Sequence, residues 1–133
     1  LIERFQQSSN AVLLGTSSFW EGVDIGNGSL KVLVVARLPF NVPTDPIFMA
    51  RSELYDNPFR EYALPQAVLR FRQGFGRLIR GSHDFGAVIV LDRRVSSSNY
   101  GKWFTGSIPL TTTFNGSIEQ ILSEVEKWIT RPA

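Results

Sequence analysis

Two uninterrupted apolar runs, VLVVA at 32–36 and AVIVL at 87–91, constrain this chain more than anything else in it. A strand with one wet face alternates polar and apolar residues, so a run without alternation reads as a strand covered on both faces, the habit of parallel sheets. A third run, AVLLGTS from residue 11, reads the same way and leads into a polar turn. Parallel neighbours need crossovers, and helical patterns lie where crossovers belong. One short pattern covers 1–8, another runs over about 45–55 behind Pro39, Pro43 and Pro46, and a third covers 65–80. Pro65 stands near the start of that third helix, where its missing N–H does no harm. A closing helix over 117–130 carries a capping box, Ser117 with Gln120, and an apolar stripe of Ile118, Ile121, Leu122, Val125, Trp128 and Ile129. Strands alternating with helices predict an α/β sheet with right-handed crossovers. Three strands are fewer than a doubly wound sheet usually carries, and the pattern opens midway, so the chain reads as a piece of a larger protein whose sheet is incomplete at the N-terminus.

At 133 residues and 43% hydrophobic the chain has the size of one globular domain. It has no cysteine, which removes disulfides, a thiolate nucleophile and any cysteine-ligated zinc or iron–sulfur cluster from this segment. The apolar runs are strand-length rather than membrane-length, and no signal peptide opens the chain, so a cytoplasmic protein without a membrane partner is expected. Asn27 and Asn115 head NxS triplets, each with glycine in the middle, and read as turns.

The formal charge is only +2, yet eleven of the fourteen basic residues are arginine and six of them fall between Arg70 and Arg94. Arginine's planar fork matches phosphate bidentately, so the bias leans towards phosphate recognition. At about 100° per residue, Gln66, Arg70, Gln73, Arg77 and Arg80 share one face of the 65–80 helix, with Val68, Phe71, Phe75, Leu78 and Ile79 opposite. A solvated basic face is the plain alternative. Against it stand Gly74 and Gly76, each costing about 1 kcal/mol inside a helix and each allowing a ligand or backbone to come close. GxG alone is weak and here follows no strand, but QGFGRLIR fits the more specific QxxGRxxR. In an open parallel sheet, ligands sit at the carboxyl ends of the strands, and those ends carry Thr16 and Ser17, then Arg37, then Asp92, Arg93 and Arg94. The loop after the first strand adds EGVD, with Glu21 and Asp24 as acceptors and Gly22 permitting close approach.

On these residues the chain resembles the second motor domain of superfamily 2 helicases of the DinG/XPD type. GTSSFWEGVDI is similar to motif V, QGFGRLIR to motif VI, and ARLPFNVPTDPI and VLDRRVSSSNYGKWFTGSIP to the segments that follow the family's strands. The likeness covers about residues 11–109, and the helix within 110–133 carries no motif. It implies a RecA-like (P-loop NTPase-like) three-layer sandwich with a mainly parallel sheet, the whole of 1–133 being a C-terminal helicase domain fragment. It further implies that Arg77 and Arg80 act on the ATP γ-phosphate, one as an arginine finger, with Gln73 and Gly76 at the same edge. Glu21, Gly22 and Asp24 would couple nucleotide to nucleic acid, while Thr16, Ser17 and Trp20 would touch single-stranded DNA. Arg37, Arg70 and Arg94 are weaker assignments, equally suited to pairing with Asp24, Asp92 or another carboxylate.

No GxxxxGK[ST] and no magnesium-binding acidic pair in the expected context occur in the sequence. The resemblance places these on the N-terminal helicase domain of the same polypeptide, so ATP and Mg would be bound mainly there and this chain alone is expected to be inactive. An iron–sulfur cluster, carried by many relatives in their other half, is not in this segment, and no metal site is expected in it. The alternative is a nucleic-acid-binding module that keeps the fold without ATPase activity. Among the aromatics, Trp20 is the best exposed candidate for base stacking, with Tyr100 a second, whereas Trp103 and Phe104 are expected in the core. His83, alone in a polar turn, is expected to do no chemistry.

Overall fold

The structure is a computed structural model and describes residues 1–16, 22, 25, 29–109 and 112–131. Strands β1 (Val32–Val35) and β2 (Ala87–Val90) lie side by side in parallel, with Val32 opposite Ala87 and Val35 opposite Val90. The connection between them holds α2 (Pro46–Ser52), a π-helical turn (Phe59–Ala63) and the long helix α3 (Leu64–Leu78). A short α1 (Ile2–Gln7) precedes this unit, and α4 (Arg94–Ser97), α5 (Gly101–Thr105) and α6 (Ile118–Ile129) follow it.

Side chains alternate across a strand, so Leu33 and Val35 share a sheet face with Val88 and Val90. That face packs on Leu64, Ala67 and Phe71 of α3, with Leu38, Phe104 and Ile108 closing the cluster. The opposite face carries Val34 and Ile89. Ile89 is buried where α6 lies against β2, while Val34 remains 53% exposed. Helix, sheet and helix thus form three layers of a small α/β fold. α6 is tied down by Trp128, whose Nε1 donates to the Gly86 carbonyl at 3.2 Å. Gly86 itself has no room for a side chain: a Cβ there would stand 2.8 Å from the Lys31 carbonyl oxygen and 2.6 Å from Leu78.

The local signals that start the helices are in place. Asp45 accepts from the Phe48 amide at 2.8 Å, so α2 begins at Pro46. The capping box of α6 is complete, with the Ser117 amide donating to Gln120 Oε1 at 2.9 Å and the Gln120 amide to Ser117 Oγ at 3.4 Å. Within the capping box Ser117→Ala removes the longer bond, and it also removes the exposed contact of the Ser117 hydroxyl with Glu119. The expected cost is therefore at the low end of the usual range, about 0.5–1 kcal/mol, read as roughly two- to fivefold faster amide hydrogen exchange in α6 with β2 unchanged.

Three expectations need correction. Residues 11–16 form no strand: the stretch has no regular secondary structure, and Val12 and Leu14 are each 86% exposed. Their apolarity calls for cover on both faces, which two strands with α3 and α6 over them do not supply at that position. Helix α3 ends at Leu78 rather than Arg80, because Ile79 adopts an extended conformation (φ −118°, ψ 114°). Trp103 is 60% exposed, whereas Phe104 beside it is fully buried. Among the described residues no helix is long and apolar enough to cross a membrane.

Candidate functional site

The end of α3 gathers the residues that the sequence singled out. Gln73 and Gly76 are exposed, Arg77 is half-buried in the last turn, and the space where a Gly76 side chain would stand is open. Arg77 there also suits the negative end of the helix dipole, which favours a cation. Arg80 has left the helix. Its backbone N–H and that of Gly81 both donate to one carboxylate oxygen of Asp84, each at 2.9 Å. These two bonds, the one from Arg80 foremost, hold the Asp84 carboxyl below its ordinary range, helped by the Arg80 and Lys31 charges. Asp84 therefore closes the turn that carries Arg80. Sequence reasoning missed that role, although an acid three residues after a glycine just beyond a helix end is the pattern that could have disclosed it.

A second carboxylate joins the two strand ends. Asp92, just after β2, accepts the Leu38 amide from the loop after β1 at 2.9 Å and is gripped by Arg94 through Nε at 2.9 Å and Nη2 at 2.6 Å. Its side chain is 8% exposed. The Arg94 hydrogen bonds, with the Leu38 and Arg94 amides, outweigh the cost of burial and hold the Asp92 carboxyl well below the usual carboxylate range. A depressed folded-state pKa contributes stability that is present above the ordinary value of 3.8 and is lost as pH falls towards the depressed one. Asp92→Asn is accordingly expected to lower Tm at neutral pH and to flatten its decline below about pH 4, a difference that Tm measured against pH detects. Arg94 is thus a structural partner of Asp92, and its guanidinium also lies 5.5 Å from the Phe40 ring centroid. Arg70 donates from Nη1 to Asn41 Oδ1 at 2.6 Å. Arg37 is exposed at the end of β1.

Of the motif V candidates, Thr16 is exposed in the irregular stretch 11–16 rather than at a strand end, and Gly22 is exposed. Ser17, Trp20, Glu21 and Asp24 lie outside the described residues. Among the described residues no three metal-ligating side chains come together.

A parallel βαβ unit whose crossover helix ends in QxxGRxxR, with further arginines at the strand ends, is a partial RecA-like fold. Residues 1–111 match the helicase C-terminal domain, and the chain belongs to that family, in its DinG type. It is 42% identical over 133 residues to the 3'-5' exonuclease DinG of Bacillus subtilis (strain 168), covering 97% of this chain and 14% of that protein. It is equally 42% identical over 113 residues to the ATP-dependent DNA helicase YoaA of Escherichia coli (strain K12), covering 82% of this chain and 18% of the relative. A YoaA of Haemophilus influenzae matches to the same extent. The chain thus spans less than a fifth of the length of these curated relatives.

Proposed function

We propose that this chain is the second motor domain of an ATP-dependent DNA helicase. It supplies an arginine finger and the motif V and VI contacts that couple ATP hydrolysis to movement on single-stranded DNA. The observation that carries the reading is the end of α3, where Gln73 and Gly76 are exposed and Ile79 turns Arg80 out of the helix into a loop closed by Asp84.

In this reading Arg77 and Arg80 meet the γ-phosphate edge of ATP, with Gln73 and Gly76 beside them. Forked guanidinium groups suit that edge chemically, and this chain's residues fit it alone, since the sequence offers no glycine-rich cradle for the remaining phosphates. ATP and Mg are therefore assigned mainly to an N-terminal helicase domain of the same polypeptide. Glu21, Gly22 and Asp24 relay nucleotide state to the nucleic-acid side, and Thr16, Ser17 and Trp20 touch single-stranded DNA. When the two domains close, Arg77 and Arg80 neutralise charge that develops on the transferred phosphoryl group; after hydrolysis that anchor is gone and the domains can shift along the strand. Residues 1–133 form a fragment of this domain, and α6 within 110–133 packs without carrying a motif.

The test is ATP hydrolysis by the full-length protein with and without single-stranded DNA, wild type against Arg77→Ala and Arg80→Ala. Turnover at the wild-type rate in both variants would overturn the reading, as would robust hydrolysis by the chain alone.

A further inference from the structure

Outside the arginine cluster, a further space lies at the carboxyl ends of the strands, between the loop after β1 and the residues after β2. It is a half-open cavity of about 360 Å³, within the range of small-ligand pockets. Phe40, Phe59 and Tyr100 form its walls: Phe40 stacks on Phe59 at 5.8 Å and 20°, and Tyr100 stands edge-on to both. Phe59 is 42% exposed, so the cluster keeps apolar ring surface uncovered.

Two polar groups on the lining are fixed by partners behind them. Arg94 is held by Asp92 and lies over Phe40, while Asn41 offers its Oδ1 to Arg70 and so retains its amide NH2 as a donor. Among the described residues no carboxylate lines the space. A cavity of flat apolar walls with a guanidinium and an amide donor fits a planar ring that bears carbonyl or ring-nitrogen acceptors and is attached to an anionic chain. A packed aliphatic side chain would use the walls and offer no acceptor to the Asn41 amide or to the outward side of the Arg94 guanidinium.

From this geometry we propose that the cavity receives one unstacked base of a single-stranded nucleic acid. The base inserts against Phe59 and Phe40 with its acceptors towards Asn41 and Arg94, and the flanking phosphates lie near the exposed Arg93 and Arg94. The inference rests on the nucleic-acid half of the function proposed above, and it adds a base contact at the cavity to the one expected of Trp20. Sequence preference stays low, because every base has a π-face and most have such acceptors.

The probes are oligo(dT) and an abasic oligomer of equal length and charge, titrated by fluorescence anisotropy against the full-length protein. Wild type is expected to prefer oligo(dT) by about 5- to 150-fold, the usual range for one stacked base. Phe59→Leu keeps apolar bulk and removes the flat ring, so it is expected to cut that preference at least about fivefold while leaving abasic affinity and Tm near wild type. Phe59→Ala should act in the same direction. A preference unchanged in Phe59→Leu overturns the proposal, and so does a lowered Tm with unchanged DNA preference, which would mean that another segment of the polypeptide fills the cavity. ATP hydrolysis measured on Arg80→Ala separates this inference from the motor reading. Lost hydrolysis in Arg80→Ala with an intact base preference in Phe59→Leu leaves the motor standing and the pocket refuted. Retained hydrolysis in Arg80→Ala with a lost base preference in Phe59→Leu does the reverse.

Discussion

Arg80→Ala in the full-length enzyme is expected to lower kcat at least about 10²-fold while changing the affinity for nucleotide only a few-fold. An arginine finger acts on charge that appears as the phosphoryl group transfers, and such residues are worth about 10³–10⁵ in kcat. Loss of an interaction made only in the transition state lowers kcat and kcat/KM together, whereas loss of an ordinary binding contact raises KM. The KM-against-kcat split is therefore the informative readout. Arg80→Lys sharpens it: a lysine keeps the charge but not the planar fork, so it is expected to recover a small part of the rate. The fold adds a further condition. Arg80 is placed by backbone bonds from its own N–H and that of Gly81 to Asp84, so the alanine variant leaves the turn intact and removes only the side chain. A drop in rate cannot then be assigned to a collapsed loop. Equal kcat in wild type and Arg80→Ala, with a raised KM, would instead make Arg80 an ordinary phosphate contact.

What the sequence revealed depends on how local each signal is. The unbroken apolar runs located β1 and β2, the period of 3.6 located α3, and Ser117 with Gln120 located α6, because each is written within a few consecutive residues. The run at 11–16 carries the same signal and forms no ladder, since apolarity states a need for cover without naming what provides it. Periodicity also carried α3 two residues too far. Ile79 and Arg80 keep the helical spacing of side chains, but Asp84 captures the Arg80 and Gly81 amides and holds the chain in a turn instead. QxxGRxxR was legible as a motif, and the family match agrees with it. The cavity beside Phe40 was not, because Phe40, Phe59 and Tyr100 come from three separate segments and the π-helical turn that presents Phe59 has no simple sequence mark. Trp103 shows the same limit, for burial within α5 is decided by one residue of rotation, and a short helix has too little period to fix it.

That rotation gives the largest expected effect on stability. Phe104 is fully buried, edge-on to Phe71 at 5.5 Å and 88° and to Phe40 at 5.8 Å and 68°, so its ring joins α3, the loop after β1 and α5 at one point. Phe104→Ala removes the transfer energy of the ring and leaves a void among neighbours that can only partly close, a loss of about 3–5 kcal/mol. Set against a typical domain stability of about 5–15 kcal/mol, that is enough to lower the melting transition of this domain by many degrees and to leave a substantial unfolded fraction at physiological temperature. Trp103→Ala removes a larger side chain from the next position, yet most of that side chain is already in water, so its cost is expected to stay below about 1 kcal/mol. Calorimetry of the two variants in the full-length protein compares them directly. Because α5 sits on Val95 through Gly101, where a Cβ would strike the Val95 carbonyl, the helix cannot rotate to exchange the two aromatics. Similar destabilisation by both substitutions would therefore mean that α5 is set differently on the core, and that Phe40 and Tyr100 do not frame the cavity in the way the base-binding proposal needs.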